Sequence, residues 1–344
     1  MLPPLDFSAP QLNAQRLASE IVKRAEFLSL RSAAVDAGEH EVVARLDDAS
    51  SFGGGAFLNA IPLGRDRTGR FVMRNDHWRI AARSHVGLPP LGISPDDTCL
   101  LCGKSWGFLA CGCGVARASV HPAVCSRGQF KQRRHDATVD VLCDMYAAIG
   151  GTSATDHGRE LNATRDGTLG GVCVLESGRR VDCVLYGAGR NGRDVALDIS
   201  FVCAEAYASR GGFANAVRLR EQFKNDAYLK ECEKAGLEFY PFVLGGHGGF
   251  GPAAKEVWGK LVARARAIQG RDWRHSWSAM SYSAVWLQKL SIAIANQTAI
   301  ATQRRMPLCS RERVLGALGG GGGDESGEVY ESVAEARGVS GVER

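Results

Sequence analysis

Apolar residues recur at helical spacing along much of the chain. In "LASEIVKRAEFLSL" (17–30) they fall three and four residues apart, and "EHEVVARL" (39–46) repeats the pattern more briefly. Residues 11–47 are therefore predicted to form two helices. "HWRIAARSHVGL" (77–88) is a helix candidate that ends before "PPLG", since proline does not continue a helix. In "RRHDATVDVLCDMYAAIG" (133–150) one apolar stripe predicts an amphipathic helix that ends at two glycines.

The second half of the chain alternates short apolar runs with helical patterns. The predicted strands are "VCVLE" (172–176), "VDCVLY" (181–186), "VALDISFV" (195–202) and "LEFYPFVL" (237–244). A long helix is predicted at about 213–235, and two more near 253–269 and 277–304. This order predicts an α/β fold in which a small mixed sheet is flanked by helices.

Composition narrows the class of protein. The 344 residues are 45% hydrophobic and 23% charged, which suffices for a substantial core. No apolar run is long enough to span a membrane, and the first residues lack the pattern of a signal peptide, so an intracellular protein with no membrane partner is expected. The net charge of +5 permits a polyanionic partner without requiring one. The Gly-rich, acidic stretch at 309–344 is predicted to be disordered.

Asp182 and Asp198 each interrupt a predicted strand. If the loop "GAGRNGR" (187–193) joins the two strands as an antiparallel hairpin centred on Arg190, the two aspartates lie opposite each other, with Cβ atoms about 5 Å apart. A shift of one residue would place one of them on the other face. Because two close carboxylates repel, the pair calls for a cation, and Mg²⁺ prefers such oxygen ligands.

Two further regions could complete such a site. Lys224 and Tyr228 stand four residues apart on the helix that follows the second strand, so they project from the same face. A lysine beside the metal would stabilise developing phosphorane charge. Glu160, in "HGRELNAT" (157–164), could supply another carboxylate.

The eleven cysteines favour metal binding or buried thiols over disulfides, as is usual in reducing compartments. The cluster at 99–125 offers two tetrahedral zinc sites. In the favoured set the ligands are Cys99, Cys102, His121 and Cys125, and in the alternative Cys111 and Cys113 replace the first two. Five further cysteines lie in apolar runs and are predicted to be buried free thiols, namely Cys143, Cys173, Cys183, Cys203 and Cys232.

The order of these features resembles the C-terminal region of non-LTR retrotransposon proteins, over roughly residues 45–305. There a Cys-Cys-His-Cys zinc knuckle precedes a restriction-enzyme-like endonuclease of the PD-(D/E)XK superfamily. The residues that carry the resemblance after the knuckle are Arg134, His135, Asp136, Arg180, Asp182, Asp198, Lys224 and Tyr228, with "YPFV" at 240–243. It implies a helical segment at 1–92 like that after a polymerase, a knuckle at 93–130 and an endonuclease core at 131–308.

The resemblance implies a nuclear enzyme that nicks DNA for target-primed reverse transcription. Asp182 and Asp198 would hold Mg²⁺ with the backbone carbonyl of Ile199, and Lys224, Glu160 and Tyr228 would assist. Arg133, Arg134, His135 and Arg180 would grip phosphates. RNA and a separate reverse transcriptase are further expected partners, because the chain has no Tyr-x-Asp-Asp motif.

One departure from the superfamily pattern leaves a second interpretation open. Ser200 stands where the superfamily has a lysine, two residues after the second acid, so activity would depend on Lys224. The alternative is a catalytically inactive, zinc-containing nucleic-acid-binding protein, whose contacts would be mostly to phosphate.

Overall fold

A computed structural model describes residues 14–60, 71–88, 90, 93, 97–104, 106, 125, 129–155, 174–269 and 281–306. Within these ranges the α-helices are α1 (Ala14–Asp36), α2 (His40–Ala49), α3 (Asn75–His85), α4 (Phe130–Ala147), α5 (Gly212–Lys234), α6 (Pro252–Gln269) and α7 (Tyr282–Arg305). Short 3₁₀ helices lie at Ala56–Asn59, Arg190–Gly192 and Glu205–Arg210. Each predicted helix is thus present, with its ends moved by a few residues.

The described strands are β1 (Ser153–Thr155), β2 (Cys183–Leu185), β3 (Val195–Val202) and β4 (Glu238–Gly245), and they form one mixed sheet in that order. β1, β2 and β3 pair antiparallel, whereas β3 and β4 run parallel. The mixed α/β class predicted from the sequence is therefore confirmed. β1 was not predicted, because three residues are too few for a periodic signal. Of the strand predicted at 172–176, the described part contributes a single bridge between Val174 and Arg180.

The β2–β3 hairpin has the predicted register. Cys183 pairs with Leu197 and Leu185 with Val195, so the connection is centred on Arg190. Asn191 has φ of 55° and Gly192 has φ of 75°, a left-handed conformation that asparagine and glycine tolerate best. The tight turn closes there and leaves Asp182 directly before β2.

The sheet is covered on both faces. α4, α6 and α7 cover one face, where the main core includes Tyr146, Leu197, Phe242, Trp258 and Trp286. α5 covers the other face, against Val184, Ala196 and Phe239. Burial on both sides explains why β3 is almost continuously apolar. Asp198 is the one charged residue in that strand.

The N-terminal helices pack on the same body. α2 lies against α5 and the 205–210 segment, and α3 lies against α7. Among the described residues, no helix is both long and apolar enough to cross a bilayer. The domain boundaries at 92, 130 and 308 remain predictions, and the tail at 309–344 lies outside the described residues.

Candidate active site and metal centre

Asp182 and Asp198 lie close together where α5 covers the sheet. Asp182 directly precedes β2, and its N–H donates to the carbonyl of Leu197 at 2.9 Å. Leu197 is already the partner of Cys183, so two consecutive residues face one residue of β3, as in a β-bulge, and the regular pairing ends before Asp182. Besides burial, the charge of Asp182 raises the pKa of Asp198, so the two carboxylates are near neighbours.

Asp182 is held by two donors. Its Oδ2 accepts a hydrogen bond from the backbone N–H of Ile199 at 2.5 Å. The same oxygen lies 2.9 Å from Nε2 of His135, which projects from the first turns of α4. The amide of Ile199 thus contacts the aspartate, while its carbonyl as a metal ligand remains a prediction.

His135 lies between two carboxylates. Its Nδ1 is 3.2 Å from Asp136 Oδ1, while its Nε2 faces Asp182. Both ring nitrogens are donors only in the imidazolium form. Burial opposes that charge, but hydrogen bonding and charge from Asp182 and then Asp136 outweigh it and raise the pKa of His135.

Asp198 is paired with the predicted lysine. Its side chain is only 4% exposed, and its Oδ2 lies 2.6 Å from Nζ of Lys224 on α5. Burial raises the pKa of Asp198, and the charge of Asp182 raises it further against the opposing effect of Lys224. Asp198 therefore has both a cation and a second carboxylate close by.

Tyr228 lies one helical turn beyond Lys224. The Lys224 ammonium is 5.3 Å from the centre of the Tyr228 ring, and that ring stacks on Phe239 of β4 at 5.5 Å. Burial, followed by the charges of Asp198 and Asp182, raises the pKa of the Tyr228 hydroxyl. Tyr228 therefore stays neutral and supports Lys224 from the core side.

Carboxylate oxygens are the donors that a hard divalent cation prefers. Mg²⁺ is usually held by one or two carboxylates together with water and substrate phosphate oxygens, and Asp182 and Asp198 offer two neighbouring carboxylates. Burial is the main cause of the raised pKa of Asp198, and the charge of Asp182 adds to it, as expected of a carboxyl with a second carboxylate nearby. Asp182 and Asp198 are the residues that would hold such an ion.

A cleft of about 370 Å³ opens beside the carboxylates. It is lined by Lys131, Gln132, Arg134 and His135 of α4, by Ile199, Ser200, Phe201, Val202 and Cys203 along β3 and just beyond, and by Arg220 and Gly246. Cations from two helices thus project into it. Burial lowers the pKa of Arg134 to about 10, so its guanidinium remains charged at neutral pH.

The remaining predicted site residues either lie outside the lining of the cleft or fall outside the described residues. Arg133 and Arg180 are exposed and do not line the cleft. Asp136 accepts a hydrogen bond from Gln132 at 2.7 Å and so helps to hold His135. Glu160, Cys111, Cys113, Cys173 and His121 lie outside the described residues.

Three of the four favoured zinc ligands come together. The sulfur atoms of Cys99, Cys102 and Cys125 lie within 4.8 Å of one another, close to the separation of about 3.8 Å that zinc–sulfur bonds of about 2.3 Å impose in a tetrahedron. The N–H of Cys99 donates to Lys104 O at 2.8 Å, and that of Gly103 donates to Cys99 O at 2.9 Å. This tight turn presents two thiols to one point, so the cluster could bind a metal such as zinc.

The cysteine cluster is fixed to the end of α7. The N–H of Leu100 donates to the carbonyl of Arg305 at 3.1 Å. The fully buried guanidinium of Arg305 donates in turn to the carbonyl of Cys125 at 3.4 Å. The cluster therefore has a defined position on the body that carries the carboxylates.

One buried ionic cluster escaped sequence analysis. His247 Nε2 lies 3.0 Å from Glu205 Oε1, and Asp48 of α2 accepts hydrogen bonds from the N–H groups of His247 at 3.0 Å and Gly249 at 2.9 Å. Burial raises the pKa of Asp48 to about 6. In the sequence these residues are separated by long stretches and carry no shared spacing, so no local signal could have joined them.

Comparison of the chain with protein-family models and with curated proteins gave no match. The function must therefore be argued from the chemistry of the site.

Proposed function

We propose that this chain is a Mg²⁺-dependent DNA endonuclease with a restriction-enzyme-like core. The observation that carries the proposal is the buried Asp198 on β3, with Lys224 2.6 Å away and Asp182 directly before the neighbouring antiparallel strand. Two carboxylates beside a lysine can bind a metal ion and stabilise the charge that develops when a phosphodiester bond is hydrolysed. The resemblance noted above points to the same chemistry.

Each side chain has a role in this scheme. When bound, Mg²⁺ would activate a water molecule and offset charge on the leaving oxygen. Lys224 stabilises negative charge that develops on the phosphate, because a fixed cation in a desolvated site costs little reorganisation. His135 holds Asp182 in one orientation, and Tyr228 does the same for Lys224.

The surroundings of the site suit DNA. The adjoining cleft is lined by Lys131, Arg134 and Arg220, and phosphate contacts of this kind position a nucleic acid without reading its sequence. The metal-binding cysteine cluster would form a zinc knuckle next to this surface. In a retroelement context the nick would expose a 3′ hydroxyl for reverse transcription by a separate polymerase, in the nucleus.

A second candidate function is nucleic-acid binding without cleavage. Ser200 occupies the position of the superfamily lysine, and its buried hydroxyl has no hydrogen-bond partner among the described residues. If the protein only binds nucleic acid, the two carboxylates have a structural role, since Asp198 is paired with Lys224 and Asp182 with His135.

The experiment is nicking of supercoiled plasmid by the purified chain in Mg²⁺. Asp182→Asn and Asp198→Asn are expected to abolish conversion to open circles, whereas Asp226→Asn, an exposed position on the same helix as Lys224, leaves it unchanged. Equal nicking by all variants would indicate a contaminating nuclease. No nicking by the wild type, together with retention of plasmid on a gel, would favour the binding protein.

A further inference from the structure

The cleft beside the carboxylates contains polar groups whose hydrogen bonding is incomplete. Arg134 is 8% exposed, and its guanidinium lies 4.2 Å from the centre of the Phe201 ring. The ring covers one face of the guanidinium, yet its buried Nε has no hydrogen-bond partner among the described residues. A buried donor without a partner is costly, so this arginine is placed for a ligand that accepts hydrogen bonds.

Arg220 approaches the same cleft from α5. It lies one helical turn before Lys224, so both side chains project from one face of the helix. Its Nε is also buried and has no hydrogen-bond partner within the described part of the chain. The positive charge of Arg220 acts on Asp198, which places it next to the carboxylate pair.

Ser200 and the start of α4 complete the lining. Ser200, 4% exposed, presents its unpartnered hydroxyl from β3. The first turn of the 18-residue helix α4 contributes Lys131 and Gln132, and the start of a helix carries partial positive charge and free N–H groups. Guanidinium, hydroxyl and helix start are together the usual surroundings of a bound phosphate.

We infer that this cleft is a phosphate subsite, which holds a DNA backbone phosphate next to the phosphodiester bound at Asp182 and Asp198. The inference rests on the proposed function for the identity of the polymer. Arg220 and Arg134 bind the phosphate oxygens, and Ser200 donates a further hydrogen bond. Ser200 thus binds phosphate at the position where the superfamily has a lysine. Arg220 becomes a DNA-binding residue that sequence analysis did not identify.

The experiment measures binding of a fluorescein-labelled 20-base-pair duplex by anisotropy, without added divalent metal, across a series of NaCl concentrations. Arg220→Gln is expected to weaken binding several-fold at low salt and to lower the slope of log K against log salt by about 0.9, the value for one lost phosphate contact. Arg220→Lys retains the slope. The matched control is Arg218→Gln, because Arg218 is exposed and bonds Asn215 on its own helix; it leaves both quantities unchanged.

The outcomes separate this inference from the proposed function. If Arg220→Gln binds the duplex with the wild-type slope, or if the wild type does not bind, the phosphate subsite is wrong even if the plasmid is nicked. If Arg220→Gln loses the contact while the wild type never nicks plasmid, the subsite stands and the endonuclease does not. Arg134→Lys, which retains charge in the buried position, is expected to bind more weakly because its single ammonium cannot make two parallel hydrogen bonds.

Discussion

The ammonium of Lys224 lies 2.6 Å from Oδ2 of Asp198, and both side chains are largely removed from solvent. The lysine belongs to α5 and the aspartate to β3, so their contact depends on how that helix covers the sheet. This ion pair brings a cation to the two carboxylates. β3 itself has Ser200 at the position where the superfamily has a lysine. The consequences for stability and for catalysis can be tested separately.

Lys224→Met is expected to lower the free energy of unfolding at neutral pH by about 3 kcal/mol, because it leaves a buried carboxylate without its cation. Nicking is expected to fall by about 10²-fold or more, the loss typical of a removed charge-stabilising group. Urea unfolding and plasmid nicking measure the two effects. Lys230→Met serves as the control, because Lys230 is exposed on the same helix.

The double variant Lys224→Met/Asp198→Asn is expected to regain stability but not activity. Equal stability of Lys224→Met and wild type would contradict the ion pair.

Moving the lysine to the strand tests the role of its charge. Ser200 lies two residues beyond Asp198 on the same face of β3 and lines the cleft. Lys224→Met/Ser200→Lys is therefore expected to recover nicking by about tenfold over Lys224→Met alone, since a lysine from either element can reach the phosphate. Ser200→Met in the same background restores size without charge. Recovery with methionine as well would show that packing, not charge, had been lost.

Cys125→Ser is expected to remove zinc from the purified protein, because a hydroxyl is a far weaker zinc ligand than a thiolate. Elemental mass spectrometry of protein prepared with zinc measures the metal content. Cys203→Ser is the matched control, since Cys203 lies near Glu205 at 3.4 Å and away from the cluster. His121→Asn tests the fourth predicted ligand. Full zinc content in Cys125→Ser would exclude the cluster as the metal site.

The His247–Glu205 pair is expected to stabilise the protein in a defined pH window. The nearby charge of Glu205 raises the pKa of His247 above its ordinary value of 6.5 despite burial, so its contribution is complete below about pH 6.5 and is lost as the pH rises through the raised pKa. Burial by itself would raise the pKa of Glu205, but the charge of His247 outweighs this effect and lowers the pKa of that carboxyl from 4.5 to about 2. The contribution of Glu205 is complete above about pH 4.5 and is lost as the pH falls through about 2.

A double-mutant cycle with His247→Gln and Glu205→Gln isolates this pair from Asp48, Arg45 and His85, which surround it and are common to every variant. At pH 6 the coupling free energy from urea unfolding is expected to be about 2 kcal/mol. It should shrink at high pH as His247 becomes neutral. A coupling that stays constant up to pH 10 would contradict the assignment of charge to His247.

Two glycine substitutions should change stability in opposite directions. A Cβ at Gly245 would lie 2.0 Å from Oδ1 of Asp48, and that carboxylate cannot move because two backbone N–H groups hold it. Gly245→Ala is therefore expected to destabilise the protein by about 1–3 kcal/mol. Gly259→Ala, in α6 where a Cβ meets no described atom within 4 Å beyond its own helix, should stabilise it by about 0.5–1 kcal/mol. Thermal unfolding compares the two, and a stabilised Gly245→Ala would place Asp48 elsewhere.

Much of the local structure could be predicted from the sequence. Apolar spacing gave each helix to within a few residues, since helical periodicity is a local property that burial of one face imposes. The glycine and asparagine of the loop around Arg190 gave the hairpin register, which is regular up to Cys183, the residue after Asp182. The two-residue gap between Cys99 and Cys102 gave one half of the metal cluster. All three signals are local in the sequence.

The partners of those residues were decided only by the tertiary structure. The sequence by itself determined that the two aspartates bracket one hairpin, but the packing of α5 brought Lys224 to Asp198, and the start of α4 brought His135 to Asp182. The same packing assembled Arg134, Arg220 and Ser200 around one cleft, and joined Asp48 to a loop about 200 residues away. No periodic pattern encodes such pairs, because each depends on the direction and distance at which whole elements pack once their apolar faces are buried.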